Sequence, residues 1–198
     1  MSTLLKPISV RERLLNLGIR IFTPLEFTRI FPVQPHVTKY FLEKQVKEGL
    51  LLRLKPGLYT LKTDPPGEEE IANALYKPSY ISFEYALAYY RILPEMPYTV
   101  TSATTKPTRL FSVQNKEYSF RTLKESSFAG YVLQKNGNRS FLIAEPEKAL
   151  VDYFYFVYLN QTPQNDRFRL QNLNRAKIMN YAKLFTRPGL IKLLNKIL

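Results

Sequence analysis

The first 62 residues combine two periods of apolar and polar positions. Apolar residues recur at helical spacing over residues 9–19, 24–31 and 35–48, and short extended runs follow at 50–55 and 58–61. Local signals agree: Thr23-Pro24-Leu25-Glu26 is a helix start, Gly49 a left-handed helix stop, and Pro56-Gly57 a turn. Three helices followed by a tight hairpin predict a winged helix-turn-helix over residues 1–62.

Residues 63–198 predict a second region in which helices and strands are mixed. It begins at a turn-rich segment, residues 63–67, which is the best candidate linker. Expected helices and strands follow from the periodicity. The helices are at 68–76, 83–93, 146–159, 174–185 and 188–197, and the strands at 98–103, 110–113, 117–123, 131–134 and 140–143. The predicted fold class is therefore α+β, with a winged helix-turn-helix at 1–62 and a mixed α/β interaction domain at 63–198.

The third predicted helix divides into two faces when residues 36–47 are spaced at about 100° per residue. The inner face comprises Thr38, Phe41, Leu42, Gln45 and Val46. The outer face comprises His36, Lys39, Tyr40, Glu43, Lys44 and Lys47. Because a DNA major groove admits one such helix, we expect the first four outer residues near base edges and the last two lysines on phosphates. The alternative is a solvated surface on which Glu43 and Lys47 form an i,i+4 pair.

The positive charge is concentrated at the two ends of the chain. The formal net charge is +13, of which residues 1–62 carry +7, residues 63–159 carry −1 and residues 160–198 carry +7. Segregated basic residues favour a polyanionic partner, and the alternative is a charge that only improves solubility. Arg53 and Lys55 flank the predicted hairpin turn and are candidates for phosphate contacts.

The basic C-terminal segment offers a possible second DNA-contacting surface. Its candidate residues are Arg175, Lys177, Lys183 and Arg187. The last predicted helix has a broad apolar stripe, which must be buried somewhere. Packing within the domain, binding to an acidic protein and contact with DNA all remain open for this segment.

Several kinds of chemistry have no support in the sequence. There is no cysteine, His36 is the only histidine, and no glycine-rich phosphate loop occurs. We therefore expect no cofactor, no metal and no enzymatic activity. Lys148 and Asp152 are i,i+4 neighbours, which favours a structural ion pair over an active site. The sequence contains neither a signal peptide nor an apolar run of about 20 residues, so we expect a cytoplasmic protein.

Three short blocks are similar to segments of a known protein family. They are residues 50–59 (LLLRLKPGLY), residues 77–82 (KPSYIS) followed by Ala86-Leu87, and residues 144–152 (AEPEKALVD). Their order and spacing resemble those of the AbiEi-type antitoxins of bacterial abortive-infection systems. The resemblance implies a type IV toxin–antitoxin setting, in which a winged helix-turn-helix represses its own promoter and a second region neutralises a nucleotidyltransferase-like toxin.

The leading functional hypothesis is a DNA-binding transcriptional repressor and antitoxin of a type IV toxin–antitoxin, phage-defence operon. Its expected partners are double-stranded operator DNA and a nucleotidyltransferase-like toxin. One alternative is an antitoxin that binds protein and not DNA. Another is an enzyme that acts on nucleic acid, which the missing motifs disfavour.

Overall fold

The structure is a computed structural model that describes residues 5–198. These residues form a mixed α+β protein with eight α-helices and nine β-strands in two sheets. They separate into two compact units, of which the first ends at Leu75 and the second runs from Tyr76 to Leu198. Within the described range, no helix combines the length and apolar character needed to cross a membrane.

The first unit contains the predicted three helices and hairpin. Its elements are α1 (Pro7–Asn16), β1 (Ile21–Phe22), α2 (Pro24–Ile30), α3 (Pro35–Lys47), β2 (Leu51–Lys55), β3 (Leu58–Leu61) and α4 (Glu68–Leu75). The strands form an antiparallel sheet in the order β1-β3-β2. The sequence does not predict β1, because two residues are too few to show an alternating pattern.

The local signals act as the sequence indicates. Thr23 caps α2 with a complete capping box: its hydroxyl accepts the Glu26 N–H at 3.3 Å, and the Glu26 carboxylate accepts the Thr23 N–H at 2.7 Å. Gly49 has φ +82° just after α3, and Gly57 has φ +76° in the hairpin turn. Both angles lie in the left-handed region, which glycine adopts without a Cβ clash.

Residues 63–75, which the sequence assigns to the second region, pack with the first unit. The Lys55 ammonium donates to the Leu75 carbonyl at the end of α4 at 2.6 Å, and the Arg20 guanidinium binds the Asp64 carboxylate at 3.0 Å. A turn-rich composition therefore marked a connection inside a compact unit, because the contacts that hold it are distant in sequence.

One apolar core joins the helices and sheet of the first unit. Its buried members are Val10, Leu14, Phe22, Phe27, Phe41, Leu42, Leu51, Tyr59 and Leu61. Phe27 lies at its centre, with ring centroids 5.7 Å from both Phe22 and Phe41. Every element from α1 to β3 contributes at least one residue, so α3 is fixed to both α2 and the sheet.

The second unit is built on a six-stranded sheet with helices packed on it. Its elements are β4 (Ser79–Ile81), α5 (Phe83–Tyr89), β5 (Val100–Thr104), β6 (Arg109–Val113), β7 (Lys116–Thr122), a 3-10 turn (Glu125–Ser127), β8 (Tyr131–Asn136), β9 (Arg139–Ala144), α6 (Pro146–Tyr158), α7 (Arg175–Lys183) and α8 (Pro188–Ile197). The strand order is β6-β7-β5-β4-β9-β8. β4 runs parallel to β9 and β5 parallel to β7, while the other pairs are antiparallel.

Helix α6 is the central helix of this unit, as its apolar sequence predicts. Nine of its residues are buried, and Ala149, Leu150 and Phe154 have no exposed surface. The C-terminal helix α8 buries Leu190 and Leu194 of its apolar stripe within the same unit. Packing within the domain, one of the readings left open, therefore accounts for part of that stripe.

Candidate functional site

Helix α3 buries one face and exposes the other, as the helical spacing predicts. Thr38, Phe41, Leu42 and Gln45 are buried, and Val46 is half-buried. All six predicted outer residues are exposed: His36, Lys39, Tyr40, Glu43, Lys44 and Lys47. The structure thus brings these six side chains together on one solvent-facing surface, named here the α3 outer face.

A hydrogen bond between two threonine hydroxyls fixes the orientation of α3. The Thr28 hydroxyl donates to the Pro24 carbonyl at 2.9 Å and lies 3.1 Å from the Thr38 hydroxyl, so the Thr38 hydroxyl is the donor between them. Thr38 is 1% exposed, which protects this bond from water. Because the inner face is anchored to α2, the α3 outer face is held on a rigid support.

The α3 outer face presents cations and one large aromatic ring. Tyr40 is 66% exposed, so most of its ring and its hydroxyl face solvent. Lys44 lies 3.7 Å from the Glu48 carboxylate, whose other oxygen accepts from Gln45 at 2.6 Å. The ion pair therefore forms between Lys44 and Glu48, and not between Glu43 and Lys47 as the alternative of a solvated surface proposed. Because both side chains are half exposed, this ion pair contributes little stability. Another anion, such as a phosphate, can therefore replace Glu48 as the partner of Lys44.

The β2–β3 hairpin places its two predicted phosphate ligands differently. Arg53 is exposed beside the register shift between Arg53 and Lys55. Lys55 is half-buried, and its ammonium donates to the Leu75 carbonyl. Arg53 thus presents its cation to solvent, whereas Lys55 already has an internal acceptor.

Arg29 is an exposed basic residue of the first unit that the sequence reasoning did not include. It is exposed in the last turn of α2, the helix that precedes α3. A helical projection of residues 24–30 would have found it, because its buried neighbour Phe27 defines the inner side of that short helix. Its charge adds to the positive charge of the first unit.

The predicted second basic surface is only partly available. Lys177 binds the Glu145 carboxylate at 2.9 Å and lies 3.6 Å from that of Glu147, and its hydrogen bond to Glu145 raises the Lys177 pKa. The Arg175 guanidinium donates to the Asn195 side chain at 3.1 Å. Lys183 and Arg187 are exposed. Lys177 therefore links α7 to Glu145 and Glu147 at the start of α6.

A second polar cluster lies inside the second unit. Lys148 and Asp152 form the expected i,i+4 ion pair on α6, and neither side chain has any exposed surface. Asp152 also accepts from the Tyr80 hydroxyl at 3.1 Å and from the Ser82 hydroxyl at 2.7 Å. The Lys148 ammonium donates to the Tyr80 oxygen at 3.0 Å and lies 5.1 Å from the centre of the Phe185 ring.

Burial dominates the electrostatics of this cluster. It lowers the pKa of Lys148 and raises the pKa of Asp152, because it disfavours both charged forms, and the contact between the two groups opposes each shift. Tyr80 and Ser82 are themselves fully buried, so the hydrogen bonds around Asp152 are closed to water. This arrangement fits an internal ion pair that fixes α6 against β4 better than a reacting centre.

No group of three or more histidine, cysteine, aspartate or glutamate side chains is arranged to hold a metal ion within residues 5–198. No protein-family model and no curated protein matches the chain.

Proposed function

We propose that this protein is a DNA-binding transcriptional repressor whose first unit acts as a winged helix-turn-helix. The observation that carries the proposal is the α3 outer face, where six polar side chains are exposed on a helix whose opposite side is buried. A helix with one anchored side and one basic side suits the DNA major groove, which is about 12 Å wide. The strand-turn-strand of β2 and β3 then corresponds to the wing.

The residues of the α3 outer face divide the work of recognition. His36, Lys39, Tyr40 and Glu43 lie toward the N-terminal half of α3, from which base edges are usually contacted. Lys44 and Lys47 lie in its last turn and suit phosphate oxygens. Arg53 on β2 and Arg29 on α2 add cations that position the unit on the duplex without reading sequence.

We further propose that the repressor controls a type IV toxin–antitoxin operon and neutralises the toxin of that operon. This step rests on the resemblance of residues 50–59, 77–82 and 144–152 to AbiEi-type antitoxins. The expected second partner is a nucleotidyltransferase-like toxin. The buried Lys148–Asp152 pair lies inside the third of these blocks, where it stabilises the second unit.

One observation favours the second candidate, an antitoxin that acts through protein binding alone. Strand β8 is an edge of the six-stranded sheet, and Tyr131, Val132 and Leu133 are three successive exposed apolar residues on it. An unprotected apolar edge strand is a common site for the addition of a strand from a partner. Such a surface would serve toxin neutralisation without DNA binding.

Salt dependence tests the DNA-binding proposal. Fluorescence anisotropy with the duplex upstream of the protein's own gene, measured over a range of salt concentrations, gives the slope of log K against log salt. If Lys44, Lys47, Arg53 and Arg29 each neutralise one phosphate, the slope is about −3.6, because each contributes about −0.9. Lys44→Ala should make it shallower by about 0.9. Lys124→Ala, which removes an exposed lysine of the second unit, is the matched control.

A slope near zero for the unaltered protein would refute DNA binding. The second candidate then predicts that growth rescue against the toxin of the neighbouring gene persists. Leu133→Lys on β8 should abolish that rescue, while Lys39→Ala should leave it intact. If Lys39→Ala abolished rescue and Leu133→Lys did not, the edge strand would not be the toxin-binding surface.

A further inference from the structure

A cleft of about 380 Å³ opens in the second unit, between the end of α5 and the start of α6. The segment that precedes α7 forms its other side. The polar residues that line it are Tyr90, Arg91, Glu147, Arg169, Gln171 and Asn172. The volume lies within the range of small-molecule sites in proteins.

Arg91 lines the cleft and has an unfavourable backbone conformation. It follows α5 with φ +59°, in a helix stop where Ile92 N–H bonds the Leu87 carbonyl at 2.8 Å and Arg91 N–H bonds the Ala88 carbonyl at 2.9 Å. Glycine is the usual residue at this position, because any Cβ is strained there. Among residues 5–198 no other charged residue has a positive φ. Strain of this kind is concentrated at functional sites.

A backbone hydrogen bond brings a second arginine to the same place. Arg169 N–H donates to the Ile92 carbonyl at 2.9 Å, so the segment around Arg169 pairs with the residue next to Arg91. Both arginines are exposed, and neither side chain has a hydrogen bond or an ion pair within the described residues. By contrast, Arg121 binds Glu84 at 3.0 Å, and Arg167, two residues from Arg169, is paired with Glu95.

The cleft also contains acceptors and amides, which a bare anion would not use. Glu147 is 8% exposed and accepts the Asn174 N–H at 3.2 Å, with Lys177 at 3.6 Å. A carboxylate has about four lone-pair directions, so these contacts leave room for further donors. Gln171 and Asn172 add amide groups. The lining therefore combines two cationic side chains with groups that accept hydrogen bonds from hydroxyl or amino groups.

We propose that this cleft binds a small phosphate ester with a hydroxylated ring, of the mononucleotide class. The two guanidinium groups bind the phosphate, for which their planar donor geometry is well suited. Glu147 and the amides accept from the ring hydroxyls or amino groups. Tyr90, whose hydroxyl is held by the Ala144 carbonyl at 2.9 Å, offers its ring as a wall of the site. The site is independent of the proposed DNA contacts on α3.

Calorimetric titration of the full chain tests the proposal with the four ribonucleoside 5′-monophosphates, ribose 5-phosphate and inorganic phosphate. At least one ester should bind at least about tenfold more tightly than inorganic phosphate, because Glu147 and the amides add hydrogen bonds. Arg91→Gly and Arg169→Gln should each weaken that ester about tenfold or more, since each removes a charge-assisted bond. Arg91→Gly should melt at the same or a higher temperature, because glycine relieves the strain at φ +59°.

Two control variants separate this site from the basic surface elsewhere. Arg139→Ala, an exposed arginine on β9, and Lys39→Ala on α3 should leave ester binding unchanged. If none of the six compounds bound, or if inorganic phosphate bound as tightly as every ester, the proposal would be overturned. Equal ester binding by the unaltered protein and Arg91→Gly would overturn it as well. Loss of ester binding in Lys39→Ala would move the site to α3 and so contradict it.

Discussion

Helices α3 and α6 have the same length and the same kind of N-terminus, but their lysines differ in exposure to solvent. Each has 13 residues, begins at a proline and follows an N-cap residue whose side chain forms no capping bond. Each contains at least one lysine. On α3 the lysines at 39, 44 and 47 are exposed, whereas Lys148 on α6 has no exposed surface.

The difference follows from the width of the apolar face. Helix α3 has one buried stripe, so the lysines on its other side remain hydrated and available to an anion. Helix α6 is surrounded by its unit, so Lys148 is acceptable only because Asp152, Tyr80 and the Phe185 ring supply partners. The same residue type therefore serves recognition on one helix and internal packing on the other.

Removal of one partner of the buried pair should produce the largest effect. Lys148→Met leaves the buried Asp152 carboxyl without its cation, which should lower the free energy of unfolding by about 3–5 kcal/mol. Denaturant unfolding of the second unit measures the loss. The double variant Lys148→Met/Asp152→Asn should recover a large part of it, because no uncompensated charge remains. If the double variant were as unstable as the single one, the instability would have another cause than the unpaired carboxylate.

Truncation of the apolar part of α6 should be nearly as costly. Leu150 is fully buried, so Leu150→Ala should destabilise the second unit by about 2–5 kcal/mol through lost contacts and a cavity. Leu110→Ala on β6, where the leucine is 60% exposed, is the control and should change stability little. Equal melting temperatures for the two variants would contradict the central position of α6.

Substitutions on the α3 outer face should alter recognition and leave folding intact. Lys39→Ala and Tyr40→Ala should each reduce the preference for operator over random DNA by about 1–3 kcal/mol, the value of a lost base contact. Competition binding with both DNAs gives the preference, and thermal unfolding checks the fold. Equal losses on both DNAs would assign these residues to phosphate contacts.

The exposed pair on α3 should have the smallest effect. Lys44→Ala removes the contact with Glu48, which is worth at most about 0.5 kcal/mol at such exposure. Denaturant unfolding of the first unit should therefore hardly change, while binding to every DNA sequence weakens. A loss of stability comparable with that of Lys148→Met would remove the contrast between the two helices.

The sequence predicts the structural features that depend on neighbouring residues. The two faces of α3, the Thr23 cap and the buried α6 are all confirmed, because each depends on residues within one or two turns. The missed features depend on distant partners. Lys55 donates a hydrogen bond to the Leu75 carbonyl, and Lys177 forms an ion pair with Glu145. Arg91 lines the same cleft as Arg169. No local sequence pattern shows such contacts between residues that are distant in the chain.

The burial of Lys148 beneath the Phe185 ring affects the order in which the chain can fold during synthesis. Phe185, which lies over the Lys148 ammonium, and Leu184, whose carbonyl accepts from Ser127 at 3.0 Å, come late in the chain. The first unit is complete by Leu75, and domains generally fold as they emerge. A ribosome that pauses between residues 160 and 180 would therefore hold a finished N-terminal unit together with a second unit whose charged interior is still open to water, and proteolysis of such stalled chains should cut only the latter.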